Sequence, residues 1–75
     1  MQVSRGIPQH IQRKAQGRLA EFMCGELHAR QLAGNRGAVL EVTHRYRLLC
    51  RDTEHTHDPE KWALMSHESY NRYAI

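Results

Sequence analysis

Three arginines interrupt one short, otherwise apolar stretch of the sequence, HRYRLLCRD. Arg45, Arg47 and Arg51 occupy odd positions there, while tyrosine, leucine and cysteine occupy the even positions between them. Because successive side chains of a β-strand point to opposite faces, the three arginines share one face, which we call the arginine face. A guanidinium group binds phosphate oxygens in a bidentate manner and stacks on bases. The pattern therefore predicts a positively charged face that is left either to solvent or to a ligand such as phosphate.

Histidine is the second residue type that could carry chemistry, with six in 75 residues. Imidazole can accept or give up a proton near neutral pH. His67 follows the apolar segment WALMS and is a candidate acid or base, although beside Glu68 it could equally be a polar strand end. The HTHD stretch (residues 55–58) invites a zinc interpretation, but it lacks the paired cysteines of structural zinc sites. We predict a polar loop there, no metal ion and no cofactor.

The elements that position these residues begin with an amphipathic helix. From Pro8 to Met23, apolar residues recur every three or four positions, and Gly25 is typical of a left-handed helix cap. Gly17 lies inside the helix and predicts a close-packed neighbour. A shorter helical piece is expected over residues 26–32.

Three strand candidates follow the glycine-containing loop of residues 33–37. A tight turn at 44–45 and a polar loop at 52–61 separate them, and the tail HESYNRYAI is polar and aromatic. The predicted strands are Ala38–Thr43, Tyr46–Arg51 and Trp62–Ser66. We predict an α+β fold in which an N-terminal helix, or helical hairpin, packs on one face of a three-stranded antiparallel β-sheet. The arginine face is then left open to solvent or ligand.

Length and composition restrict the class of protein. Residues 1–75 are expected to form a single domain, since the chain is short and has 40% hydrophobic residues. No apolar run approaches the roughly 18 residues of a membrane-spanning helix, and MQVSRGIPQH contains no apolar core of a secretory signal. We therefore expect a cytoplasmic protein in which Cys24 and Cys50 are free, buried thiols. The formal net charge of +3 is mildly basic.

Three stretches in this order resemble the RelE/ParE superfamily of bacterial toxins from type II toxin–antitoxin pairs. They are the helix IQRKAQGRLAEFM, the strand YRLL and the segment WALMSHESYNRY. A group of short, prophage-type ParE-like toxins is particularly similar, because it pairs an RLL-R-D strand with W-x-L-M-x-H-x-x-Y-N. The resemblance covers about residues 8–73. Larger members have a β-strand before the helix, so with seven residues before Pro8 a smaller sheet is expected here.

The resemblance implies a bacterial or prophage-encoded toxin with one of two targets. RelE-type toxins cleave mRNA on the ribosome, where a ribose 2′-OH attacks the adjacent phosphate, and ParE-type toxins inhibit DNA gyrase. For cleavage, Arg47 would hold the phosphate, Arg51 would add charge, His67 would transfer protons and Tyr70 would stack on a base or donate a hydrogen bond. Arg45, Lys61, Arg72 and Tyr73 would contact nucleic acid.

Our leading expectation is metal-independent, ribosome-dependent endoribonuclease activity (an mRNA interferase), with the ribosome and mRNA as partners. The alternatives are non-enzymatic inhibition of DNA gyrase and a phage-derived interaction protein that lacks the site. A cognate acidic antitoxin is expected to cover the arginine face. Purely structural roles are also open: Arg47 and Arg51 could pair with Glu41 on a solvated face, and Tyr70 could pack on the sheet.

Overall fold

The computed structural model describes residues 1–74, which form one mixed β-sheet and two α-helices. Ile75, the last residue of the predicted tail, lies outside the described residues. The elements are β1 (Gln2–Val3), α1 (Gln9–Met23), β2 (Arg30–Gln31), β3 (Ala38–Glu41), β4 (Tyr46–Cys50), β5 (Trp62–Ser66) and α2 (His67–Ala74). Two 3₁₀ turns cover Ala33–Asn35 and Pro59–Lys61.

Helix α1 confirms the first predicted element. Its apolar stripe buries Ile11, Ala15 and Leu19. The helix ends where Gly25 adopts a φ of +82°, and the N–H groups of residues 25 and 26 donate to the carbonyls of residues 22 and 21. These two bonds satisfy carbonyls at the helix end in a Schellman motif. The close-packed neighbour expected at Gly17 is absent from the described residues, because an added Cβ there would meet no atom within 4 Å.

The sheet has five strands in the order β1-β5-β4-β3-β2 over the described residues, so the prediction of three antiparallel strands is incomplete. The three predicted strands form its antiparallel centre, and the α+β class is confirmed. Strand β1 pairs parallel with β5, and the N–H of Ser4 donates to the carbonyl of Leu64 at 3.1 Å. The expectation of no strand before the helix is therefore wrong. Two exposed residues carry no strand pattern, and β1 exists because β5 offers a free edge.

The predicted helical piece at residues 26–32 is also wrong. The chain bends after Gly25, and β2 then pairs antiparallel with the start of β3. Leu32 donates its N–H to the carbonyl of Gly37 at 2.8 Å. A helix of seven residues between glycines would close few hydrogen bonds for the backbone it fixes, whereas pairing with β3 uses a strand that is already held in the sheet.

Each face of the sheet has its own hydrophobic cluster. Helix α1 packs on the face that contains Leu48, Cys50, Trp62 and Leu64. On the other face, α2 brings Tyr70 into a second cluster with Val39, Leu49 and Met65. Leu49 lies on the arginine face of β4, so the expectation that this face is open is wrong at its centre. The tail was described from the sequence only as polar and aromatic. It forms α2, whose aromatic residues 70 and 73 lie about one helical turn apart and pack against the sheet.

Candidate functional site

The arginines of β4 lie in two different environments because the strand separates them. Arg47 lies next to the β3–β4 turn, whereas Arg51 follows the opposite end of the strand. At roughly 3.3 Å per residue, about 13 Å of strand lies between them. The arginine face therefore has two ends, with α2 covering the apolar centre.

The Arg51 end is closed by contacts with α2. The Cζ atom of Arg51 lies 4.7 Å from the centre of the Tyr73 ring, and Cζ of Arg36 lies 5.5 Å from the same centre. The hydroxyl of Tyr73 also donates to the carbonyl of Arg36, and Nη2 of Arg36 donates to the carbonyl of Tyr73. Both cation–π contacts are with one ring, so Arg51 and Tyr73 anchor the C-terminal helix.

Tyr70 is a packing residue with one polar contact. Its side chain is 6% exposed and lies against Val39, Leu49 and Met65. Nη2 of Arg30 donates to its hydroxyl at 2.9 Å. The ring therefore packs on the sheet, as the structural alternative held, while its hydroxyl orients an arginine that the sequence did not single out.

His67 lies at the junction where β5 passes directly into α2. Its N–H donates to the carbonyl of Arg45 at 2.7 Å, so it continues the pairing of β5 with β4. Its Nδ1 atom is buried and has no hydrogen-bond partner among residues 1–74. This junction places the backbone of His67 beside Arg45, near the turn end of the arginine face.

Arg47 holds the β3–β4 turn. Its Nη1 atom donates to the carbonyls of Thr43 at 2.6 Å, His44 at 3.0 Å and Tyr46 at 3.2 Å. Glu41 is its partner across the strands, but no ion pair joins the two within the described residues. One nitrogen of the guanidinium group thus fixes the turn, and the side chain also lines an open cavity.

This cavity, which we call the basic groove, exists because β2 is short. Arg30 pairs with Val39, and the residues before Arg30 leave the sheet while β3 continues to Glu41. A cavity of about 390 Å³ opens between them. Its lining residues are Arg18, Leu27, His28, Arg30, Val39, Leu40, Glu41, Val42, Thr43, His44 and Arg47.

The basic groove has an excess of positive charge. Three arginines and one carboxylate line it, together with two histidines. Arg18 also faces Glu21 at 3.8 Å on the surface of α1, a contact of the kind that contributes little in water. An excess of guanidinium groups around a cavity attracts anions, and phosphate oxygens match their geometry.

The structure separates the residues predicted from the sequence. Arg47 lines the basic groove, Tyr70 reaches it only through Arg30, and Arg51 lies against Tyr73. The four predicted nucleic-acid contacts are also dispersed: Arg45 is exposed before β4, Arg72 is exposed on α2, Tyr73 is half-buried, and Lys61 lines a second cavity of about 210 Å³ with Arg51.

Four basic residues of the groove were not predicted: Arg18, His28, Arg30 and His44. Residues 28 and 30 lay in the segment mistaken for a helix, so the face they occupy could not be deduced. The tight turn at 44–45 was predicted correctly, but nothing in the sequence indicated what the turn would face.

Contacts of His55 and His57 restrain the polar loop after β4. Nδ1 of His55 lies 2.7 Å from a carboxylate oxygen of Asp52, and this hydrogen bond holds the pKa of Asp52 below its usual value. His57 stacks on the ring of Phe22 with 5.3 Å between centres. Within residues 1–74, no group of three or more histidine, cysteine or acidic side chains is placed to hold a metal ion.

The two cysteines differ in exposure. Both are free, and Cys50 is buried as predicted, but Cys24 is exposed at the end of α1. Burial raises the pKa of the Cys50 thiol, which donates to the carbonyl of Asp52 at 3.2 Å. The expectation of two buried thiols is therefore half correct.

The family of this fold follows from comparison with known proteins. The sequence model of the family described as ParE-like toxin domain matches residues 9–72, which is most of the chain. No curated protein and no solved structure gives a significant match. The protein belongs to the ParE-like toxin domain family, and the resemblance to the RelE/ParE superfamily is confirmed.

Membership defines the protein as a toxin of the toxin–antitoxin class and implies a cognate antitoxin. Among residues 1–74, neither helix combines the length and apolar character that crossing a membrane requires.

Proposed function

We propose that the toxin inhibits growth by metal-independent, ribosome-dependent cleavage of mRNA, and that the RNA backbone binds in the basic groove. The observation that supports this proposal is the surplus of guanidinium groups around an open cavity beside the central strand. Anchored arginines bind phosphate with little loss of side-chain freedom, because packing and hydrogen bonds already restrict them.

Arg47 is the residue through which the groove would act on a phosphate. Its Nη1 atom is fixed by three turn carbonyls, which restricts the direction in which the rest of the guanidinium group points. Positive charge held in place beside the phosphate stabilises the extra charge of the pentacoordinate transition state. Arg30, oriented by the hydroxyl of Tyr70, would supply a second guanidinium group.

The other predicted catalytic residues have different roles in this proposal. Arg51 holds α2 through Tyr73 rather than adding charge at the phosphate. His67, to which the family resemblance assigned proton transfer, does not line the groove. The acidic antitoxin is the partner expected to neutralise the groove, since its charge would complement three arginines.

Inhibition of DNA gyrase without chemistry is the second candidate. One observation favours it: Tyr70 is buried and Arg51 contacts Tyr73, so two of the four residues expected to cut RNA hold the fold together. A toxin that only binds its target needs no convergent catalytic group.

Induced expression in a bacterial host distinguishes the two candidates. If the cleavage proposal holds, transcripts recovered from ribosomes are cut within seconds to minutes of induction, and Arg47→Gln abolishes the cuts and the growth arrest. Intact transcripts with a DNA-damage response and filamentous cells would contradict cleavage and support the gyrase alternative. Arg13→Gln, an exposed change on α1 outside the groove, is the control for expression and folding.

A further inference from the structure

We propose that His28 and His44 form the acid–base pair of the basic groove and transfer the protons of RNA cleavage. This inference rests on the proposed function, and it assigns proton transfer to residues that neither the sequence analysis nor the family resemblance singled out. Its basis is that two imidazoles from distant segments line the same cavity as Arg47.

The two histidines lie on different walls of the groove and come from separate segments of the chain. His28 precedes β2 by two residues, and Arg30 pairs with Val39, so continued pairing would bring residue 28 opposite Glu41. The strands part at this point, and His28 therefore lies on the outer wall of the groove. A phosphate entering the gap would pass between this wall and β3.

His44 lies on the opposite, turn side of the groove. Nη1 of Arg47 donates to its carbonyl at 3.0 Å, and to that of Thr43 before it. The residue proposed to hold the phosphate thus also fixes the backbone that carries one imidazole. This coupling resembles the mutual positioning that efficient proton transfer requires.

Both rings are free to act on a ligand. His28 and His44 are exposed, and neither imidazole makes a hydrogen bond or ion pair with another of residues 1–74. By contrast, His55 is bonded to Asp52, and His57 is stacked on Phe22. The rings of the two groove histidines are therefore not occupied by contacts that hold the fold together.

The chemistry balances with these groups alone. One imidazole in its neutral form takes the proton of the ribose 2′-OH while O2′ forms a bond to phosphorus. The P–O5′ bond breaks, and the second imidazole, initially protonated, gives its proton to O5′. The products are a 2′,3′-cyclic phosphate and a 5′-hydroxyl end, and no oxidant, metal or co-reactant is consumed.

The charged groups around the rings favour an anionic substrate. Arg18 from α1, Arg30 from β2 and Arg47 from β4 face the groove, and among residues 1–74 Glu41 from β3 is the carboxylate in its lining. Guanidinium groups stabilise the phosphorane, and the imidazoles move the protons.

The test uses the full-length toxin, programmed bacterial ribosomes and a short end-labelled mRNA. We compare wild type with His28→Ala, His44→Ala and the double variant, and His10→Ala on exposed α1 is the matched control. Each single change is expected to slow cleavage by about 10²–10⁴-fold, while His10→Ala stays within threefold. The thermal melting curve of each variant checks its fold, and filter binding of a 2′-O-methylated RNA, which cannot be cut, checks binding.

A specific signature separates proton transfer from simple anion binding. The histidine variants should keep the affinity for the 2′-O-methylated RNA within threefold and lose cleavage. The wild-type rate should follow a bell-shaped pH profile, since one ring must be neutral and the other protonated, and each single variant should lose one limb.

Three results would overturn the inference, and they differ in what they say about the proposed cleavage function. If wild type cleaves and the folded double variant cleaves within threefold of it, the histidine pair is wrong and the cleavage function stands. If wild type does not cleave on ribosomes at all, the proposed function fails and the inference fails with it. Loss of RNA binding in parallel with loss of cleavage would also overturn it, because the imidazoles would then act only in binding.

Discussion

The two ends of strand β4 carry the same residue type on the same face, yet they are built for different tasks. At the turn end, Arg47 lies in an open cavity with other basic side chains. At the far end, Arg51 lies 4.7 Å from the centre of the Tyr73 ring under the C-terminal helix. Alternation along a strand predicts which residues share a face. The elements packed on that face determine which of those residues are exposed to solvent.

The same contrast appears in the tyrosines of α2. Tyr70 is buried and directs Arg30 toward the groove, whereas Tyr73 lies between two arginines away from it. A helix of eight residues thus closes one end of the face and supports the other.

The largest predicted effect separates the two arginines directly. Arg47→Gln should lower the rate of mRNA cleavage by about 100-fold or more, because a fixed charge beside the transition state is lost. Arg51→Gln should leave the rate within threefold and cost about 1 kcal/mol of folding free energy. For both variants, the cleavage rate is measured by primer extension on ribosomes and the free energy of unfolding by urea denaturation. Equal losses of cleavage activity in the two variants would show that the two ends of β4 do not differ in function.

The closed end should be intolerant of added volume. Gly37 has a φ of +155°, and an added Cβ would lie 2.8 Å from the carbonyl oxygen of Cys50. Gly37→Ala should therefore destabilise the protein by about 2–4 kcal/mol in urea unfolding. Gly17→Ala is the control: it meets no atom within 4 Å in a helix interior and should stabilise by about 0.5–1 kcal/mol. If Gly37→Ala leaves the free energy of unfolding unchanged, the backbone at this end of β4 can shift to accommodate the added methyl group.

Removing the aromatic anchor should loosen α2 and little else. Tyr73→Leu should cost about 1 kcal/mol of stability, because the two cation–π contacts are lost. Amide hydrogen exchange should become faster in α2 and stay unchanged in α1. Tyr73→Phe keeps the ring and removes the hydroxyl bond to Arg36, so it isolates the stacking. Faster exchange throughout the sheet would mean that α2 is a cooperative part of the core.

The smallest predicted effect lies in the loop that follows the closed end. The hydrogen bond from His55 lowers the pKa of Asp52 in the folded state, so the bond contributes stability above the unfolded pKa of about 3.9. That contribution is lost as pH falls through the folded pKa. Asp52→Asn should therefore lower the melting temperature slightly at about pH 6 and by less at about pH 2. An equal shift at both values would exclude the carboxylate as the cause.

The elements that could be predicted from the sequence are those in which a residue pattern repeats over many positions. The helix stripe of Ile11, Ala15 and Leu19, the cap at Gly25 and the segment WALMS were all predictable, because burial imposes a period on them. Two-residue strands leave no period, so β1 and β2 were missed.

The candidate site was only partly predictable for the same reason. Arg47 was identified from strand alternation, but the groove around it depends on where the short β2 leaves the sheet. His28 and Arg30 line the groove because the chain before Arg30 does not pair with β3. The covering of the arginine face was missed because eight residues containing two tyrosines were not recognised as a helix.

We propose that RNA binds at the turn end of β4 and not at the end closed by α2. The direct measurement is a titration of ¹⁵N-labelled toxin with a short 2′-O-methylated single-stranded RNA, followed by amide chemical shifts. If RNA binds in the basic groove, the largest shifts are expected at residues 28, 30, 44 and 47, with saturation, and small shifts at residues 51 and 73. Shifts concentrated at α2 and Arg51, with the groove residues unmoved, would contradict it.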